Sequence, residues 1–212
     1  MEDRRPSQLP CASVELDAAI RRRKMCRNFR DQAVDPSLVD RLIERAARAP
    51  SAGHSQGWSF LVLEGPEQTA PFWRLATDES WLARPTQPGL LRAPVVIVPL
   101  AGPRAYLERY SEPDKAGAAR RDLKDWAVPY WLVDTAMATM LLLLGATAEG
   151  LGALFFALHG DVAALLAHFG VPDGWEPIGA VALGWPAPDQ RPSPSAMRGR
   201  RKLSDIVHRG AW

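Results

Sequence analysis

The run Thr135 to Ala148 is apolar around its whole circumference and is closed by Asp134 at one end and Glu149 at the other. A helix of that kind offers no polar face to water, so the rest of the chain must cover it on most sides. The run falls short of the ~20 residues of an ordinary membrane span. It therefore predicts a buried central helix, and no membrane partner is expected.

A chain of 212 residues can bury such a helix in one domain without staples. No internal repeat or second-domain boundary interrupts it. Residues 13–212 read as a single domain behind a flexible N-terminal arm, 1–12, whose charges at Glu2, Asp3, Arg4 and Arg5 are followed by no apolar stretch and so make no signal peptide. A first helix is expected from Val14 to about Arg22, with Ser13 as its cap and Ile20 on its buried side. Asp35-Pro36 starts a second helix, with Leu38, Leu42, Ile43, Ala46 and Ala47 as its apolar face and Pro50 as its stop. Trp58–Leu63, Pro94–Leu100 and Ile178–Leu183 read as strands, and Asp161 caps a short helix ending at Gly170. Helices and strands mix without a regular βαβ alternation, which predicts an α+β fold. Residues 101–129 are charged, with aromatic points at Tyr106, Tyr110 and Trp126; they read either as an exposed excursion or as a lid over a pocket. In the arm 186–212, prolines at 186, 188, 192 and 194 keep the chain extended.

Composition narrows the function. A net charge of +2 is too small to argue for nucleic acid as a partner. The four histidines have no metal spacing, and Cys11 and Cys26 form neither a zinc site nor a secreted disulfide framework, so no metal and a cytoplasmic setting are expected. There is no dinucleotide fingerprint after a first strand and no nucleophile elbow.

Two strings carry chemistry. Arg23, Lys24 and Arg27 form a cationic cluster, and guanidinium forks match phosphate oxygens. The same run at a helix end also suits plain solvation beside the negative helix terminus. The second string, Ala49 to Trp58, holds the small loop Pro50-Ser51-Ala52-Gly53 directly before an apolar strand, so its backbone can approach a flat ring. Together they suit a phosphorylated planar cofactor such as FMN.

These strings resemble the FMN-dependent nitroreductase family, whose signatures read roughly Arg-Arg-Ser-x-Arg-x-Phe and Ala-Pro-Ser-x-x-Asn-x-Gln-Pro-Trp. Gly150-Leu151-Gly152-Ala153, Ala182-Leu183-Gly184-Trp185-Pro186 and the tail from Arg198 to Val207 resemble later family elements in order. Met25 stands in place of the serine, His54 of the asparagine and Gly57 of the proline, while Phe156-Ala157-Leu158 occupies the place of a Glu-Gly pair.

The resemblance implies a nitroreductase-like fold: a mostly antiparallel central sheet flanked by helices, a long buried helix, and a C-terminal arm reaching the partner of a homodimer. It implies that Arg23, Lys24, Arg198 and Arg200 hold the FMN phosphate, with the Met25 amide beside them. Arg27 then faces the charge that develops on reduced flavin. Pro50, Ser51, His54 and Gln56 line the ring and ribityl edge, and Ala157 and Leu158 offer the N5 edge backbone amides. Trp126 and Tyr130 shape a pocket for a small-molecule acceptor, whereas Trp131 is core. The implied activity passes hydride from NADH or NADPH through flavin N5 to a nitroaromatic or quinone, with no catalytic side chain. The same scaffold also hosts flavin sequestration without turnover, dehydrogenation, dehalogenation and FMN fragmentation.

Overall fold

The computed structural model describes residues 15–118 and 122–212. The arm 1–12, Cys11, the Ser13 cap, Val14, Arg120 and Arg121 lie outside the described residues.

A strand buried at every position organises the rest. β1 (Trp58–Glu64) and β2 (Val95–Ala101) pair along their full length, from Trp58 opposite Ala101 to Glu64 opposite Val95. β3 (Gly152–Phe156), β4 (Glu176–Pro177) and β5 (Ala180–Gly184) complete a sheet of order β1-β2-β5-β3, with β4 also paired to β2. Every ladder is antiparallel. β2 is buried along its whole length, because both faces are covered by helices and its alternating side chains feed two cores. Val95 and Ile97 join Val181 and Leu183 on one face, while Val96, Val98 and Leu100 join Ala180 and Ala182 on the other. Pro99 is tolerated in this central strand for a local reason. Its carbonyl accepts from the Ile178 amide, so its missing N–H faces the gap between β4 and β5.

The helices are α1 (Leu16–Arg22), α2 (Pro36–Ala46), α3 (Pro66–Ala76), α4 (Glu79–Ala83), α5 (Pro103–Arg109), α6 (Tyr130–Ala148) and α7 (Val162–His168). α2 and α6 cover the first face through Leu38, Leu42, Ala138 and Leu142. α3 and α7 cover the second through Phe72, Trp73 and Leu165. The Asp35 carboxylate accepts from the Ser37 amide and the Asp161 carboxylate from the Ala164 amide, as the capping signals predict. The α+β expectation holds.

Several boundaries differ. α1 is shorter than expected; Ile20 is half exposed, and Ala19 is the residue it buries. In α2, Ala47 is exposed and Val39 buried, and the helix ends at Ala46, ahead of Pro50. The third strand read from sequence, Ile178–Leu183, begins two residues later as β5, and the short β4 precedes it. α3, α4, β3 and β4 are additions. In the arm 186–212, Pro186 forms an antiparallel bridge with Phe29, and two short 3-10 turns follow, Pro194–Arg198 and Leu203–Asp205.

The apolar helix begins five residues earlier than the run suggests, so α6 is 19 residues long and, by length and composition, could cross a membrane. Half of it is buried inside the fold, and the buried hydroxyls of Thr135 and Thr139 donate to the carbonyls one turn back. One stripe stays uncovered. Tyr130, Val133 and Met140 are exposed, with Met137, Leu141 and Leu144 partly so.

Candidate functional site

After α1 the chain runs beside β3. Met25 pairs with Ala153 in parallel, and the Cys26 amide donates to the Ala153 carbonyl at 2.9 Å. The glycine turn before β3 allows this approach, since a Cβ on Gly152 would stand 2.7 Å from Cys26 Sγ. Two motifs far apart in sequence thus form one ribbon. Met25 packs against both cores, so an apolar side chain takes the place of a hydroxyl. Burial raises the Cys26 thiol pKa. Arg23 closes α1, and its Nη1 is buried with no hydrogen-bond partner. Lys24 is exposed.

Arg27 opens onto a cleft of about 490 Å³ between this ribbon, the segment before β2 and the start of the C-terminal arm. Its amide donates to Gln190 Oε1 at 2.9 Å, while its guanidinium bonds to no described residue. Asn28 organises the wall: it accepts from Arg92 Nη2 at 2.5 Å and donates to Asp189 at 2.9 Å. Gln87 and Arg191 also line it. The volume is in the range of small-molecule sites, and three arginines against one hydrogen-bonded aspartate favour an anion. A second cleft of about 600 Å³ lies on the other side of Arg92, but it carries Asp31 and Glu64 and does not suit a phosphate.

The loop of residues 50–57 lies between α2 and β1. Pro50, His54 and Gln56 are exposed and Ser51 half-buried. Ser51 Oγ accepts from the Gln56 amide at 2.9 Å. From α6, Asp134 Oδ2 accepts from the Ala52 amide at 2.8 Å and from the Tyr106 hydroxyl at 2.7 Å. Burial pushes the Tyr106 hydroxyl pKa well up, and the Asp134 carboxylate adds to the shift.

Of the other predicted positions, Trp126 is buried in an aromatic cluster with Tyr106, Tyr110 and Trp131, and Tyr130 is exposed at its edge. Trp131 is core, as expected. Ala157 is exposed and Leu158 half-buried past the end of β3. Phe156 turns inward and stacks on Trp73 at 5.4 Å. Arg198 and Arg200 are exposed on the arm. Sequence reasoning missed Asn28, Gln87, Arg92 and Arg191; of these only Asn28 lies within a motif.

Comparison with known proteins decides the family. The model of the nitroreductase family matches residues 20–185. The chain belongs to the nitroreductase family. A Methanothermobacter thermautotrophicus protein, provisionally named NADH dehydrogenase/NAD(P)H nitroreductase, is 25% identical over 186 residues, covering 83% of this chain and 80% of that relative. The 5,6-dimethylbenzimidazole synthase of Rhodospirillum rubrum is 29% identical over 185 residues, covering 86% and 87%. A nitroreductase-family fold solved in complex with FMN, from Exiguobacterium sibiricum, superposes with a TM-score of 0.69 at 20% identity, covering 92% and 97%. The antiparallel sheet flanked by helices and the long central helix of the nitroreductase-like fold are therefore present, and family membership makes the chain an oxidoreductase.

Proposed function

We propose that this nitroreductase-family chain binds FMN and passes hydride from NADH or NADPH to an electron-poor acceptor such as a nitroaromatic or a quinone. The observation that carries the reading is the buried, unpartnered Nη1 of Arg23. A guanidinium nitrogen shut away from water without an acceptor is costly, and a phosphate oxygen supplies the missing acceptor. The FMN complex of the Exiguobacterium neighbour supports the same ligand.

Bound here, a flavin supplies the hydride chemistry that no side chain of the site provides. Arg23 and Lys24, with Arg198 and Arg200 from the arm, would hold its phosphate. Arg27, free to turn into the cleft, would neutralise charge on the reduced ring. Ser51, His54 and Gln56 would follow its edge, and His54 can donate from either ring nitrogen. Ala157 and Leu158 would contribute backbone amides, and Tyr130 with the edge of Trp126 would border the acceptor.

A homodimer belongs to this reading. The uncovered stripe of α6 and the exposed Met197, Leu203 and Ile206 of the arm are apolar surfaces that a symmetric partner would bury. A cytoplasmic location accords with the free thiol of Cys26.

The protein as purified is expected to be yellow, and rapid mixing with NADPH or NADH is expected to bleach the flavin within seconds. Absence of flavin binding by the apoprotein defeats the reading; bound flavin that neither donor bleaches leaves a storage role. The dimethylbenzimidazole synthase relative favours a second reading, FMN fragmentation. Chromatography of the flavin after aerobic reduction separates the two, because only fragmentation consumes FMN.

A further inference from the structure

We propose that Asp134 and Tyr106 are positioning residues: they latch the loop 51–56 in the left-handed backbone shape that presents His54 and Gln56 to the cofactor. This rests on the flavin reading above and adds what holds the loop ready before a ligand arrives.

The loop has an unusual backbone. Gly53, His54 and Gln56 have φ of 62°, 59° and 50°. Glycine adopts that region freely, but a histidine and a glutamine in it persist only where the surroundings over-determine them. Two internal staples, Gln56 N to Ser51 Oγ and Ser55 Oγ to the Ala52 carbonyl at 2.6 Å, tie the loop to itself. They do not tie it to the protein.

The ties to the protein come from α5 and α6. Asp134, 2% exposed, takes the Ala52 amide and the Tyr106 hydroxyl on the same carboxylate oxygen, and Tyr106 is fully buried. Arg109 Nε donates to the Gly53 carbonyl at 2.8 Å and is itself gripped by Asp114. A carboxylate can remain buried only while its donors satisfy it. If the loop moved away, Asp134 would lose the Ala52 amide while still shut off from water, and that desolvation is what makes the latch hold. The segment 101–129 thereby gains a role that its charge pattern did not reveal: its first helix clamps the loop instead of only covering a pocket.

Tyr106→Phe removes one donor and keeps the ring. We expect it to weaken FMN binding by about tenfold, the worth of one charge-assisted hydrogen bond, in fluorescence titration of the apoprotein, and to speed amide hydrogen exchange at residues 52–56. Thr139→Val removes a buried hydroxyl bond from the same helix, Thr139 to Thr135 at 2.8 Å; it should lower thermal stability while leaving both readouts within about twofold. Equal FMN affinity and unchanged loop exchange in Tyr106→Phe overturn the proposal, as do equal losses in both variants. Should Tyr106→Phe fail to fold, Arg109→Met tests the same latch from the surface: faster exchange at residues 52–56 supports it and unchanged exchange overturns it. If the unmodified protein binds no FMN, the flavin reading fails, and loop exchange in Tyr106→Phe still decides whether the latch exists.

Discussion

Tyr106 lies so close to Gly57 that a Cβ at position 57 would stand 2.4 Å from the Tyr106 ring and 2.8 Å from the Gly102 carbonyl oxygen. Gly57 occupies a place where the family pattern has proline, so the departure and the tyrosine belong together: the ring fills the space that a side chain would need. Gly57→Ala is expected to destabilise the fold by about 1–3 kcal/mol, the range for overpacked interiors. Urea unfolding checks this, and an unchanged midpoint would show that the ring moves aside freely.

Arg23 sets stability against function. Its buried Nη1 has no partner within the protein, so Arg23→Met should leave the apoprotein as stable as before or more so. The same change removes a contact to the cofactor phosphate and should weaken FMN binding about tenfold or more. Thermal unfolding of the apoprotein and a flavin titration measure the two halves. A loss of apoprotein stability would mean that Arg23 is structural, and the double variant Arg23→Ala, Arg200→Ala retaining full flavin would refute the phosphate assignment.

The buried tyrosine also makes stability depend on pH in a definite direction. Burial, with Asp134 second, raises the Tyr106 pKa in the folded state above the ordinary tyrosine value of about 10. Its contribution is therefore fully present below about pH 10, the unfolded tyrosine value, and is lost as pH rises beyond it, because the unfolded chain releases a proton that the folded one keeps. One such group changes stability by about 1.4 kcal/mol per pH unit in that range. Urea midpoints of the protein and of Tyr106→Phe between about pH 9 and 11 isolate this share. Parallel declines in the two proteins would sink the assignment.

What could be read from sequence was what local chemistry writes. Asp35-Pro36 and Asp161 announce their helices because a cap is a contact between near neighbours. β2 announces itself because a strand covered on both faces is apolar at every position. β3 did not, since Gly-Ala-Leu-Phe-Phe is short and follows a glycine turn, where strand and buried loop look alike. The cationic cluster was legible, but the burial of Arg23 was not. Arg92 and Gln87 reach the cleft from a segment without a motif, and Tyr106 meets Asp134 across 28 positions of chain. Such pairings belong to the fold, and no spacing in the sequence encodes them. Met25 shows the converse: the sequence displays a missing hydroxyl, and only the packing shows the apolar surroundings that favour methionine there.

The fold leaves one face of α6 uncovered. A helix apolar all round is stable in water only if every side is covered, yet Val133 and Met140 are 40% and 46% exposed in the single chain. A second copy of the chain placing the same stripe against this one would complete the burial that the sequence demands. Met140→Glu puts a charge in the middle of that stripe. Burying an unpaired carboxylate costs several kcal/mol, so the substitution should convert a dimer into monomers at micromolar concentration while leaving the helix content of each chain intact. Sedimentation velocity distinguishes the outcomes. A wild-type protein that sediments as a monomer removes the dimer from the proposal, and a Met140→Glu protein that remains dimeric places the contact elsewhere on the surface.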